Sequence, residues 1–247
     1  MKIATWNVNG IRARESQVLE WIRRDRPDVV CLQEIKAKPE QVPASLGDLE
    51  GYWGAWHGAG GYSGVSLHFA REAFPEKPVF VHPAFDMETR IVTATVGDVV
   101  YGSVYVPNGG KDYEAKLGFL REMTAWAASL QAEGKRLVLC GDMNVTRSDL
   151  DLHPKERDDT AVGQRADERA LFESVIGQGL VDVARALAPD AGDIFTWWAP
   201  WRKMRERNVG WRIDYVLASA GLAASAKGCP VLKDVGTSDH APVVAEL

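Results

Sequence analysis

Eight stretches of the chain are dense in Val, Ile and Leu: "KIATWNV", "VVCLQE", "GVSLHFA", "RIVTATV", "VVYGSVYV", "RLVLCGDMNV", "RIDYVLA" and "APVVAEL". Several are rich in β-branched residues and bounded by Gly, Pro or Asp, which predicts strands. Other stretches change period. In "EAKLGFLREMTAWAASLQAEG", Leu117, Leu120, Met123, Ala127 and Leu130 recur at three and four residues, with Gly134 placed to stop the helix. Helices also fit "ESQVLEWIRRD", with Val18, Leu19 and Ile22 on one face, and "ADERALFESVIG". Strands often follow strands directly. That predicts packed sheets with helices outside and argues against an alternating parallel barrel.

The polar residues that interrupt this pattern collect at strand ends. The first strand ends "WNVNG", and alternation along a strand would turn Asn7 and Asn9 the same way. Glu34 closes the second. Asp142 and Asn144 again stand two apart in "GDMNV". Asp214 opens "RIDYVL", and Asp239 and His240 open the last strand in "SDHAP". Any one of these is an ordinary strand-end hydrogen bond; five in one chain, of compatible chemistry, point to a shared site. Asn9, Glu34, Asp142, Asn144 and Asp239 offer hard oxygen atoms without sulfur, a set that suits Mg²⁺ or Mn²⁺ and argues against zinc. His240 is open to three roles: base, donor to a developing charge, or ligand. A carboxylate such as Asp214 would fix its tautomer. Acids, one histidine and a divalent cation are the parts for metal-assisted phosphoester hydrolysis.

Composition sets limits. The 247 residues are 46% hydrophobic and 26% charged, ordinary for one globular domain spanning 1–247. No run approaches the ~18 apolar residues a membrane span needs. Asn7 and Asn9 come too early for a signal-peptide apolar region. Cys31, Cys140 and Cys229 lack close spacing and read as structural thiols. The cytoplasm is the expected compartment. A net charge of −5 argues against a simple polybasic nucleic-acid binder but leaves room for a local basic groove.

Such a groove has a candidate. In "FTWWAPWRKMRERNVGWRID" fall four of the nine tryptophans, Trp197, Trp198, Trp201 and Trp211. From Arg202 to Arg212 there are five basic residues against one acid, Glu206. A cationic loop with interleaved aromatics can neutralise phosphates and stack on bases or sugars. Trp198 is the expected core member. Arg12, Arg14, Lys36, Lys38 and Lys111 are further phosphate-contact candidates.

The ordered set "WNVNGIRAR", "LQEIK", "GYSGV", "YVPNGG", "GDMNV", "GWRIDYVLAS" and "TSDHAPV" resembles the exonuclease III/apurinic–apyrimidinic (AP) endonuclease family of the endonuclease–exonuclease–phosphatase superfamily, from Met1 to Leu247. The resemblance implies a four-layered α/β sandwich (DNase I-like), with two packed mixed sheets flanked by helices and the site at one end of the sheets. By the same resemblance, Glu34 looks like the main metal ligand with Asn7 and Asn9 beside it, and Asp239 like a further metal-side carboxylate. Asp142 looks like the group that orients or deprotonates the attacking water, and Asn144 like a neighbour that holds the transition state; both also border the metal, as does His240. Tyr105 resembles a tyrosine that touches the scissile phosphate. Asp214 and His240 look like a hydrogen-bonded pair, with His240 donating to a phosphoryl oxygen. Trp197 and Trp211 match pocket walls, while Trp201 and Arg202 fit gripping of a distorted duplex. One departure stands out: after Asp151, "LHPKERDDTAVGQR" lacks the asparagines with which some members grip the phosphate, leaving Lys155 or Arg157 as substitutes.

The expectation is a monomeric, Mg²⁺-dependent (Mn²⁺ substituting) nuclease with no membrane partner. It would cut double-stranded DNA 5′ to abasic sites and trim blocked 3′ ends. Its rivals are a phosphatase or phosphodiesterase on an inositol phosphate or lipid headgroup, and a silent nucleic-acid-binding module.

Overall fold

Strand β1 (Lys2–Asn7) alternates faces as its sequence demands. Ile3 and Thr5 turn inward to a second sheet, and Ala4 and Trp6 turn outward to a helix. The computed structural model describes residues 1–247. Helix α1 (Glu15–Asp25) covers β1 and β2 (Val29–Gln33), with Trp21 edge-on to Trp6 at 5.5 Å. Val18, Trp21 and Ile22 form its buried face, and Leu19 is only half-buried. A short α2 (Ala44–Gly47) precedes β3 (Tyr52–His57) and β4 (Val65–Ala70). The first sheet runs in the order β11-β1-β2-β4-β3, with β11 (Val243–Glu246) at its edge.

The second sheet is built from β5 (Val79–Val81), β6 (Ile91–Val96), β7 (Val99–Tyr105), β8 (Arg136–Asp142), β9 (Leu180–Asp182) and β10 (Asp214–Ser219), in the order β5-β6-β7-β8-β10-β9. Helix α3 (Tyr113–Ala132) packs with α4 (Ala166–Ile176) on its outer face. Asp112 caps α3 through the amide of Ala115 at 2.9 Å, and Gly134, at φ 72°, ends it as expected. Short helices α5 (Val183–Leu187) and α6 (Ala220–Ala223) complete the elements.

The result is four layers: α1, sheet, sheet, α3 with α4. Val29, Cys31, Leu67, Val138, Cys140 and Val216 fill the space between the sheets. Leu120, Met123, Leu139, Phe172 and Leu217 fill the space under α3 and α4. The three cysteines are free, and Cys31 and Cys140 are buried as structural thiols. No helix is long and apolar enough to cross a membrane.

Parallel pairs β1/β2 and β7/β8 both end at the same edge of the sandwich. Antiparallel β10 starts there, Asp214 opposite Asp142. This topology delivers the strand-end polar residues to one place.

His68 in β4 shows how dry the interior is. Its ring is 1% exposed, bonded at 2.9 Å to Ser66 Oγ and edge-on to Trp56. Burial pushes its pKa from 6.5 down to about 3. The folded state refuses a proton that the unfolded chain accepts below 6.5, so this group does not affect stability above that pH. Stability then falls by about 1.4 kcal/mol per pH unit from 6.5 toward 3. Denaturant titrations between pH 4 and 8 should show a shallower acid limb in His68→Gln; an unchanged slope would assign the limb to other groups.

Candidate active site

At the shared edge, four carboxylates meet one imidazole. Asp214 Oδ2 lies 2.8 Å from His240 Nδ1, leaving Nε2 to face Asp142 Oδ2 at 3.8 Å. The backbone carbonyl of His240 accepts from Trp6 Nε1 at 3.1 Å, and Ser238 Oγ donates to Asn7 O at 2.7 Å. These two bonds fix the entry to the last strand against β1.

Asn7 bridges Glu34 and Asp142. Its Nδ2 donates to Glu34 Oε1 and Asp142 Oδ2, both at 2.9 Å, while its Oδ1 accepts the Asn9 amide at 3.0 Å. The oxygen is thus used locally, and the NH₂ faces the acids. Asn7 thus positions the carboxylates through its NH₂, where its oxygen was expected to face a cation.

The expected alternation fails for Asn9 and Asn144, although both reach the site. β1 ends at Asn7 and β8 at Asp142, and Asn9 and Asn144 sit at φ 44° and 50°. Glu34 and Lys36, just past β2, also have positive φ, 50° and 51°. Non-glycine residues in this region carry a conformational cost, and here four of them line one site. Turning into the left-handed region redirects Asn9 to Asp239 Oδ1 (2.9 Å). Asn144 Nδ2 donates to Val106 O at 2.9 Å, its Oδ1 accepts from Asn108 at 3.3 Å, and its backbone amide donates to Asp142 Oδ1 at 2.9 Å. Its side chain is therefore held by protein on both ends.

Lys36 was expected at a phosphate. Its ammonium is instead drawn into the acids, 2.8 Å from Glu34 Oε2 and 2.6 Å from Asn9 Oδ1. Arg12 and Lys38 are exposed, and Arg14 is half-buried. Lys111 is exposed near the Tyr62 ring, at the rim of a 470 Å³ cavity shared with Arg90, Tyr105 and Asn108.

Electrostatics follow from the crowding. Burial pushes His240 down, but Asp214 and Asp142 outweigh it and raise its pKa to about 10. Burial raises Asp142 to about 7; His240 opposes this, while Asp214 and Glu34 add to it. Burial would raise Glu34 too, yet bonds from Asn7 and Lys36 hold it below the usual range. Burial, then Glu34 and Asp142, push the Tyr105 hydroxyl far up, so it stays protonated.

The acid excess fits a cation. One ligand atom each from Glu34, Asp142 and His240 lies within 4.8 Å of the others. Asp214 Oδ1 is buried with no hydrogen-bond partner, a further unneutralised oxygen.

A 280 Å³ cavity opens over these groups, lined by Glu34, Tyr105, Asp142, His240, Trp197 and Trp211 among others. Trp197 and Trp211 meet edge-on at 5.5 Å, and Trp197 Nε1 donates to Asp239 Oδ2 at 3.0 Å. Trp198 is core, and Trp201 is 60% exposed.

The basic loop is less cationic outward than its sequence implies. Arg205 spends its guanidinium on the carbonyls of Lys233, Val235 and Ser238. Arg212 is buried between Asp151 and Asp182. Arg202, Lys203 and Arg207 remain exposed. Asp151 therefore anchors the fold, and Lys155 and Arg157 stand exposed, Arg157 donating to Asp149 O.

Sequence reasoning missed Arg90, Tyr62, Asn108 and Lys116. Arg90 lies over Tyr105 at 4.8 Å and donates to Tyr62 Oη at 2.8 Å. Asn108 stood inside the quoted "YVPNGG", three residues past the end of β7, and its polar side chain in that loop was the available signal.

The pattern of the Endonuclease/Exonuclease/phosphatase family matches residues 4–240. The chain belongs to this family. Within it, an exodeoxyribonuclease of Bacillus subtilis is 32% identical over 98% of both chains. The structure of an AP endonuclease from Archaeoglobus fulgidus superposes with a TM-score of 0.89 at 29% identity, covering 100% of this chain and 99% of that one. A 3′-5′ exonuclease from Neisseria meningitidis gives 0.91 at 31%, with the same coverage. The expected exonuclease III/AP endonuclease branch and the DNase I-like sandwich are both borne out. The protein is a hydrolytic nuclease of this branch, and its acid–histidine cluster suits the metal dependence of the family.

Proposed function

We propose that this nuclease acts in DNA repair, hydrolysing the phosphodiester 5′ to an abasic site and trimming blocked 3′ ends, with Mg²⁺ as its working ion and Mn²⁺ as a substitute. The observation that carries the reading is the single cavity in which Glu34, Asp142 and the Asp214–His240 pair face Trp197 and Trp211. It works as a monomer on double-stranded DNA in the cytoplasm.

A water near Asp142 Oδ2 would lose its proton to that carboxylate, which burial makes more basic than an ordinary aspartate. The oxygen attacks phosphorus, the bond from phosphorus to the 3′ oxygen breaks, that oxygen takes a proton from solvent, and a 3′-hydroxyl and a 5′-phosphate result. His240, protonated and held by Asp214, donates from Nε2 to a phosphoryl oxygen as charge builds there. Tyr105, locked as a neutral donor, approaches the same phosphate. Glu34, Asp142 and Asp239 would hold the cation, which would supply positive charge to the phosphate and the developing oxyanion. Arg202, Lys111 and Arg12 contact flanking phosphates, and Trp201 grips the distorted duplex.

The tryptophans select the lesion. An abasic nucleotide rotates out of the helix with little lost stacking, and a pocket of two indoles takes the bare sugar. Contacts of this kind are worth roughly 1–3 kcal/mol. Trp197→Ala should therefore lower abasic incision about ten- to a hundredfold, and 3′ trimming less. The measurement is the ratio of the two on matched duplexes carrying one abasic analogue, with Mg²⁺ and with a chelator. An unchanged ratio in folded Trp197→Ala and Trp211→Ala would remove lesion selection. Binding without any cutting would favour a silent binding module, and turnover of inositol phosphates alone would favour the phosphatase reading.

A further inference from the structure

A second group of metal-ligating side chains lies away from the acids of the cavity. His57 ends β3, and His82 and Asp86 lie between β5 and β6; one ligand atom of each lies within 4.8 Å of the others. His57 Nε2 is 2.6 Å from Asp86 Oδ2, and the two imidazoles stack at 3.7 Å. We infer that His57, His82 and Asp86 form a surface site for a divalent transition metal of the zinc class, separate from the Mg²⁺-type cluster.

Two features prepare these side chains as ligands. Asp86 Oδ1 is occupied by the amides of Arg90 (2.8 Å) and Ile91 (3.1 Å), which fixes the carboxylate and leaves Oδ2 pointing at the histidines. His82 Nδ1 lies 3.3 Å from the Ile91 carbonyl. A carbonyl only accepts, so Nδ1 carries the proton and Nε2 keeps a free lone pair. Outer bonds of this kind orient the ligands of metal sites. Two imidazoles and one carboxylate, with an exposed side open to water, match zinc-class chemistry; the hard oxygen set around Glu34 does not.

Capture requires movement. Stacked rings aim their lone pairs in parallel, so the His82 ring must tilt; it is exposed and can do so. Zinc bonds of ~2.0–2.2 Å put ligand atoms roughly 3.3–3.5 Å apart, so the His57–Asp86 contact must open by roughly 1 Å. The metal would join β3 to the segment carrying Glu88 and Arg90. Arg90 is bonded to Asp86 through its amide and stacks on Tyr105, so occupancy would stiffen one wall of the 470 Å³ cavity.

The test uses the full chain, with Zn²⁺ and Co²⁺ alone as probes in excess Mg²⁺. One Zn²⁺ should bind per chain, and bound Co²⁺ should show the intense visible absorption of a four-coordinate ion with nitrogen ligands. Both signals should persist in Glu34→Gln, which disables the acid cluster. They should weaken by at least about ten- to a hundredfold in His82→Ala and in Asp86→Asn, with Mg²⁺-supported cleavage unchanged in His82→Ala. Metal-free His82→Ala should unfold at the wild-type temperature, showing that the loss is of a ligand. Zn²⁺ binding that survives His57→Ala and His82→Ala, or that disappears in Glu34→Gln alone, would overturn the site.

Discussion

Asp142→Asn should lower single-turnover cleavage by about 10²–10⁴-fold, and His240→Ala by a similar factor, with DNA affinity nearly unchanged. Asparagine keeps the shape of the side chain and still accepts the Asn144 amide at the Oδ1 position. It cannot take a proton from water, and its NH₂ would face the Asn7 NH₂ in place of Oδ2. The pH profile separates this role from a structural one. Cleavage needs Asp142 ionised and His240 protonated; burial raises Asp142, and Asp214 and Asp142 outweigh burial to raise His240, so the rate should rise with pH as Asp142 ionises and fall again where His240 loses its proton. The two groups face each other at 3.8 Å, so the limbs belong to the pair. In Asp142→Asn the residual rate should lose its rising limb. Near wild-type single-turnover cleavage in either variant would sink the assigned chemistry.

The four layers were legible because hydrophobic period reports burial on each face. Val29 to Leu32 and Leu137 to Cys140 are buried on both faces and read as unbroken apolar runs. β3, β5 and β9 escaped for the same reason inverted. β3 carries Gly54 and half-buried aromatics, and β5 and β9 are three residues long, too short for a period to show. The site was legible as a set of acids at strand ends, yet the reason given for Asn9 and Asn144 was wrong. Their direction comes from left-handed backbone beyond the strands, which alternation cannot foresee. Charge counting along the tryptophan loop also overstated its outward field. Arg205 and Arg212 look like any surface arginine until their partners, 28 to 61 residues away in sequence, are in place.

Lys116→Met should destabilise the fold by about 3–5 kcal/mol, the cost of stranding one member of a buried ion pair. A lysine on a helix reads as solvated, but Lys116 is fully buried and paired with Glu168, also fully buried. Burial lowers the ammonium's pKa and Glu168 counters it. The same Nζ donates to the backbone carbonyls of Asn144 at 2.7 Å and Asn108 at 3.3 Å, on the loops after β8 and β7. Lys116 thus ties together the two segments that border the cavity. Fold and site can be separated by also removing the stranded charge. Lys116→Met/Glu168→Gln keeps an acceptor for the amides of Gly163 and Arg165, which Glu168 Oε1 now serves. Most of the lost stability should return, because no unpaired charge remains in the interior. Cleavage should not return with it, since no donor then holds the Asn108 and Asn144 carbonyls. Denaturant unfolding beside single-turnover rates on the same three proteins decides the matter. If the double variant regains the wild-type rate along with its stability, Lys116 is only a counter-charge and the loops hold themselves.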